Sequence, residues 1–194
     1  MQTLLIATRN EHKTREIGQM LGHGWEVRDL SSLPHAPEVE ETGLTFEENA
    51  ALKALTISKV VTGLVLADDS GLEVDALEGA PGVCSARFAG PRATDAENRF
   101  LLTQKLRLLG GVQFPARFRC VIVLASQGEL LGSFGGVVNG NVILDERGRG
   151  GFGYDSLFIP QGYTETFGEL QADIKNSLSH RARALAKVLE FLRS

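Results

Sequence analysis

Five polar clusters in this chain combine residue types that do phosphate and metal chemistry, each at the end of an expected element rather than on its face. They are Thr8-Arg9-Asn10-Glu11-His12-Lys13, Glu40-Glu41, Asp68-Asp69-Ser70, Phe152-Gly153-Tyr154-Asp155, and Lys175 with Ser179-His180-Arg181. Ligands of α/β sheets bind beyond the carboxyl ends of strands, so residues that follow a strand are favoured candidates. Asp68-Asp69-Ser70 carries the sharpest signal. Two adjacent carboxylates at the end of a buried run are costly unless a cation or hydrogen-bond donors compensate them. One can ligate Mg2+ while oriented to take a proton from water. Glu40-Glu41 offers a further metal oxygen. The bland alternatives are a capping aspartate in a turn and a solvated acidic loop.

Thr8 to Lys13 fall in a strand-to-helix turn. Backbone N–H groups there, the helix dipole and the Lys13 ammonium suit a phosphate. The glycines and the G-K-[ST] ending of a Walker A loop are missing, and a plain N-cap with a solvated lysine explains the same residues. In the glycine-flanked turn at 152–155, Phe152 can stack on a base and Asp155 can accept from a ring N–H. Read alone, the turn is better explained as a hairpin with a buried aromatic, and Lys175, His180 and Arg181 as a solvated basic face. Lys53 and Arg87 are lone cations. His12, His23 and His35 have no metal-ligand spacing. Taken together, the clusters supply carboxylates for a metal, cations for a polyphosphate, and an aromatic with polar donors for a base. Metal-assisted nucleotide hydrolysis requires that set.

The elements that must position these residues alternate between strand and helix. TLLIA (3–7) reads as a buried strand, followed by a helix with Ile17, Met20 and Leu21 on one face. A short strand is expected over 25–30, then a loop to 43. Thr45 and Glu48 form a capping box, and Phe46, Ala50, Ala54, Ile57 and Val61 recur at helical spacing up to Gly63. GLVLA (63–67) reads as a strand that stops at Asp68-Asp69, with a loop from there to about 93. Thr94 and Glu97 open a further helix carrying Phe100, Leu101, Leu102, Leu106 and Leu109. RFRCVIVLA (117–125) is a strand and 128–140 its hairpin partner. A glycine-rich loop (148–155) leads to the strand SLFIP, and Leu178, Ala182, Leu185, Leu189 and Leu192 mark a C-terminal amphipathic helix. The expectation is one α/β domain over 1–194.

Bulk properties narrow the class. The 194 residues are 43% hydrophobic with a net charge of -4, which argues against a nucleic-acid binder. No apolar run approaches the roughly 20 residues that cross a bilayer, and no signal peptide is evident. Cys84 and Cys120 have no metal-like spacing and read as reduced thiols. A soluble, cytoplasmic protein is expected, with no membrane partner.

At this point the motifs resemble a family. LIATRNEHK, EETGLTFEENAALKA, LADDSGLEVDALEGAPGVCSARFAG, GGFGYDSLF and LSHRARAL are similar, in order and spacing, to the bacterial branch of the inosine triphosphate pyrophosphatase family. They span Leu5 to Leu185. The ADDSGLEVDAL…GAPG segment is the most specific, whereas T-x-N-x-x-K alone is weak. The resemblance implies an elongated mixed β-sheet with flanking helices, two lobes around a central nucleotide-binding cleft, and a homodimer. It implies Mg2+-dependent hydrolysis of ITP, dITP or XTP to the monophosphate and pyrophosphate. Asp69 corresponds to the metal-binding catalytic base, Glu40 or Glu41 to a metal ligand, and Ser70 to a substrate contact. Thr8, Arg9, Asn10, Glu11, His12 and Lys13 fall where the triphosphate is held. Phe152, Gly153, Tyr154 and Asp155 fall on the base-binding turn, and Lys175, His180 and Arg181 on nucleotide contacts. Lys53 and Arg87 match basic, substrate-facing positions of some members. Ser156 replaces the usual proline, and Gly135 an acidic residue. The alternatives are a pyrophosphatase for other modified nucleotides and a nucleotide-binding module without hydrolysis.

Overall fold

The computed structural model describes residues 2–193. Six strands, β1 (Gln2–Ile6), β2 (Trp25–Asp29), β3 (Leu64–Val74), β4 (Gln113–Ser126), β5 (Glu129–Ile143) and β6 (Phe158–Pro160), form one sheet in the order β2-β1-β3-β4-β5-β6. β1 runs parallel to β2 and β3, and β5 antiparallel to β6. Five helices, α1 (Glu11–Leu21), α2 (Phe46–Ser58), α3 (Asp95–Leu109), α4 (Ala172–Leu178) and α5 (His180–Phe191), flank this mixed sheet. The expected α/β class is borne out.

Local chemistry sets the helix starts. Asn10 caps α1, and Thr45–Glu48 and Thr94–Glu97 both close the reciprocal capping boxes read from the sequence. Gln127 and Gly128, at φ 52° and 81°, make the two-residue turn joining β4 to β5. Gly140 is needed where β6 pairs, because a Cβ there would lie 2.2 Å from the Ile159 carbonyl oxygen.

Three expectations are corrected. β3 does not stop at Asp68-Asp69 but continues to Val74, so the acidic pair lies within a strand. Both carboxylates have cationic partners there, which removes the reason for the strand to end. The C-terminal helix is two helices, split where Ser179 turns extended (φ -65°, ψ 161°). Ser156 and Leu157 belong to a 3-10 turn, which leaves only Phe158–Pro160 as strand.

The chain divides into two compact units. Met1–Asp69, Cys120–Gly136 and Arg181–Ser194 make the first, and Ser70–Arg119 and Val137–His180 the second. The first unit's core joins Leu4, Ile6, Ile17, Leu66, Ile122 and Leu124 to Ala184, Leu185 and Val188 of α5. The second unit's core joins Leu72, Leu102, Leu106 and Leu157 to an aromatic cluster. There Phe158 meets Phe118 edge-on with centroids 4.7 Å apart, and Phe167 stacks on Phe118 at 6.0 Å. On α3 the core takes Leu102 and Leu106, while Phe100 and Leu109 are exposed. Among the described residues, no helix is long and apolar enough to cross a membrane.

Equilibrium urea denaturation should show Phe158→Ala costing about 3–5 kcal/mol through lost burial and the cavity left behind. The exposed Phe100→Ala should stay within about 0.5 kcal/mol of wild type.

Candidate active site

The acidic pair of β3 organises the first unit. Asp68 is completely buried. Its Oδ1 receives the Lys13 ammonium, while Oδ2 accepts from Arg181 Nε at 2.9 Å and from the Cys120 thiol at 3.0 Å. Arg181 is itself buried, and its Nη1 reaches Glu16 Oε2 at 2.6 Å. Burial pushes the Asp68 carboxyl up, but Arg181, Lys13 and the thiol outweigh it and hold the group well below the usual carboxylate range. Burial and the facing carboxylate push the Cys120 thiol well up, so it remains a protonated donor.

Asp69 has different surroundings. Lys53 Nζ lies 3.0 Å from its Oδ1, 2.6 Å from Glu41 Oε1 and 2.9 Å from the Asp68 carbonyl oxygen. One lysine thus ties two carboxylates to the β3 backbone. Burial lowers the Lys53 value, but Asp69 and Glu41 more than reverse this. Burial raises the Asp69 carboxyl, with Glu41 adding to it against the opposing Lys53. Asp69 Oδ2 is buried and has no hydrogen-bond partner among the described residues. A carboxylate oxygen left in that condition is costly unless water or a cation engages it. Glu41 takes part in this cluster, whereas the neighbouring Glu40 is exposed.

The strand-to-helix turn before α1 stands in the same unit. Asn10 Oδ1 accepts from the His12 and Lys13 amides at 3.0 and 3.2 Å, and Thr8 Oγ1 accepts from Asn10 N at 3.1 Å. Three of the amides in the turn expected to serve a phosphate, those of Asn10, His12 and Lys13, therefore already have an acceptor. Arg9 reaches the Leu30 and Ala36 carbonyls, both at 3.4 Å, while Glu11 and His12 are exposed.

The remaining candidates lie in the second unit. Asp155 Oδ2 accepts from Lys175 Nζ at 2.6 Å and from Phe152 N at 2.8 Å. Lys175 is buried, with its ammonium 5.1 Å from the Phe152 ring centroid, in cation–π range. Gly151, at φ +72°, permits this arrangement, since a Cβ there would lie 2.0 Å from Asp155 Oδ2. The Asp155 oxygen expected for a ring N–H thus holds the turn and Lys175. Tyr154 is buried and donates to the Ser85 carbonyl at 2.8 Å; burial pushes its phenol up. His180 stacks on Phe118, with centroids 4.8 Å apart and planes 11° from parallel. Ser70 is half-buried in β3, and Arg87 ends the 3-10 segment Gly82–Arg87.

Lys13, Glu41, Lys53, Asp69 and Arg181 are therefore gathered in the first unit around Asp68, and Phe152, Asp155 and Lys175 in the second. Sequence reasoning missed Glu16 and Cys120. The i, i+3 spacing of Lys13 and Glu16 on α1 was a usable signal for the first. Cys120 in an apolar run carried none, since a buried thiol reads as a small hydrophobe.

Known proteins resemble this chain along its length. The model of the Ham1 family matches residues 4–191. A dITP/XTP pyrophosphatase of Bacillus licheniformis is 44% identical over 193 residues, covering 99% of this chain and 98% of that protein. One from an Exiguobacterium species is 49% identical over 187 residues, covering 95% and 94%. Among solved structures, a HAM1 protein from Coxiella burnetii superposes with a TM-score of 0.87 at 36% identity, covering 100% of this chain and 99% of that one. The Staphylococcus aureus Ham1 protein does so at 0.85 and 37%, covering 99% and 98%. With the family model matching residues 4–191 and relatives 44% and 49% identical over nearly the whole chain, the chain belongs to the Ham1 family.

Proposed function

We propose that this protein hydrolyses non-canonical purine nucleoside triphosphates (ITP, dITP and XTP) to the monophosphate and pyrophosphate, with Mg2+. The spare, buried Oδ2 of Asp69 is the observation that carries the reading. Asp69 and Glu41 supply hard oxygen donors, which fit Mg2+. Among the described residues no group of three or more His, Cys, Asp or Glu side chains is gathered as a metal cage. Two carboxylates still suffice where phosphate oxygens and water complete the shell, as Mg2+ sites commonly have it. When bound, the ion supplies Lewis-acid charge to the phosphate oxygens.

Asp69 acts as general base. Its Oδ2 takes a proton from the water whose oxygen bonds to the α-phosphorus. The bond from that phosphorus to the bridging oxygen breaks, and pyrophosphate leaves with the electron pair. Lys53 holds Oδ1, so the carboxylate cannot rotate away. Lys13 adds positive charge at the N-terminus of α1, where the segment Thr8 to Lys13 would meet the phosphates. Phe152 to Asp155, Lys175 and His180, with Ser70, Arg87 and Arg181, are assigned to the nucleoside. A donor such as Lys175 or His180 pairs with the 6-carbonyl of hypoxanthine or xanthine but faces the 6-amino group of adenine donor to donor. Such a site discriminates by ~10^4 or more. A homodimer and a cytoplasmic location belong to the same proposal.

Pyrophosphate release from ITP, XTP, ATP, GTP, CTP and UTP, with Mg2+ and with EDTA, tests the reading. Release from ITP and XTP but not from ATP, abolished by EDTA, is expected. Equal cleavage of ATP would sink the base assignment, and release unaffected by EDTA the metal. Asp69→Asn should lower kcat by roughly 10^2–10^4-fold in a folded protein. Because the Asp69 carboxyl lies above its ordinary value, wild-type kcat/KM should fall as pH drops through that raised value, where the protonated group no longer accepts. A pH profile without that acid limb would remove Asp69 from the base role.

A further inference from the structure

The first turns of α3 hold the Phe152–Asp155 turn by its backbone. Asp95 Oδ2 accepts the Gly153 N–H at 2.7 Å, and Arg99 Nη1 donates to the Gly153 carbonyl at 2.9 Å. Both polar backbone groups of one residue are thus gripped by a carboxylate and a guanidinium one helical turn apart. Arg99 is aimed by a further contact: its Nε donates to Glu146 Oε2 at 2.8 Å, and the same oxygen accepts from Ser156 Oγ at 2.9 Å. Ser156 thereby ties the far end of the turn to the same network.

The geometry of Gly153 explains why such a grip is useful. Its φ is +60°, and it has no side chain by which packing could anchor it. The loop before it is rich in glycine, at 148, 150, 151 and 153, so ordering it costs more conformational entropy than an ordinary segment. The helix, by contrast, is anchored without these contacts. Its start is set by the Thr94–Glu97 capping box, and Leu102 and Leu106 are in the core. The buried Asn98 pins α3 to the 3-10 segment that ends at Arg87, accepting from Ala89 N at 2.8 Å and donating to the Ala86 carbonyl at 3.1 Å. Asp155 and Tyr154 anchor the turn through their side chains, and α3 adds the hold on the Gly153 backbone between them.

We infer that Asp95 and Arg99 are positioning residues of the nucleobase subsite, clamping Gly153 so that the Phe152 ring and the Asp155–Lys175 pair are presented ready for the base. The inference rests on the assignment of that turn to the base. It predicts a specific pattern: loosening the turn weakens substrate capture and leaves the chemistry at Asp69 intact.

The test uses the full-length protein and the variants Asp95→Ala, Asp95→Asn and Arg99→Ala. Steady-state kinetics with ITP are measured beside amide hydrogen exchange of the peptide spanning 150–156. Asp95→Ala and Arg99→Ala should each raise KM about tenfold, the size of one lost charge-assisted hydrogen bond, with kcat within about threefold. Exchange of 150–156 should quicken while that of the α3 core does not. Asp95→Asn should stay near wild type in both, since its amide oxygen still accepts the Gly153 N–H. Unchanged exchange in Asp95→Ala overturns the clamp. Faster exchange with wild-type KM, or a loss confined to kcat, overturns its role in substrate capture. If the wild type hydrolyses no such triphosphate, the proposed function fails, while the exchange comparison still decides whether Asp95 and Arg99 order the turn.

Discussion

A carboxylate with no access to water is the constraint on which the first unit depends. Asp68 cannot remain ionised inside an apolar core without positive partners, and it has two, Lys13 and Arg181. Those partners belong to α1 and α5, and the thiol that completes the set belongs to β4. Satisfying one charge therefore draws three elements onto β3. Removing either cation would leave a buried charge uncompensated, a cost of about 3–5 kcal/mol in comparable pairs. Arg181 is in turn balanced by Glu16 on α1, so charge is distributed rather than stranded.

The neighbouring residue uses the same strand differently. Successive side chains of a strand point to opposite faces, so Asp68 and Asp69 meet separate surroundings although they are adjacent. Asp68 has both oxygens engaged by donors. Asp69 has one oxygen held by Lys53 and one left over. A carboxylate that is oriented yet incompletely satisfied is what a base or a metal ligand requires, and its raised value makes it the better proton acceptor. The buried pair thus divides into a member with both oxygens satisfied and a member with one oxygen to spare.

The second unit solves a different problem, that of holding a cation beside an aromatic ring in a glycine-rich turn. Asp155 joins the turn to Lys175, and Gly151 leaves the space for its carboxylate. The aromatic core of Phe118, Phe158 and Phe167 lies beneath, with His180 stacked on Phe118. A side chain packed face to face on a ring cannot swing freely, so a donor carried by His180 has a defined direction.

Whatever depends on neighbours a few residues apart was legible in the order of amino acids. Both capping boxes, the Asn10 turn and the strand and helix periods are of this kind, and each involves side chains that reach only the next turn or the same face. What depends on partners far along the chain was settled by folding. β3 runs on through Asp68 and Asp69 because Arg181, 113 residues later, neutralises the first and Lys53 the second. Glu41 rather than Glu40 joins Asp69 because Lys53 reaches one side of that loop. Asp95 and Arg99 read as an ordinary first turn of a helix, and only folding brings them to Gly153, 58 and 54 residues away. The physical reason is common to all three. A charge or a backbone dipole has no sequence period, so its partner is chosen by which elements pack together, and packing is settled only when the cores close.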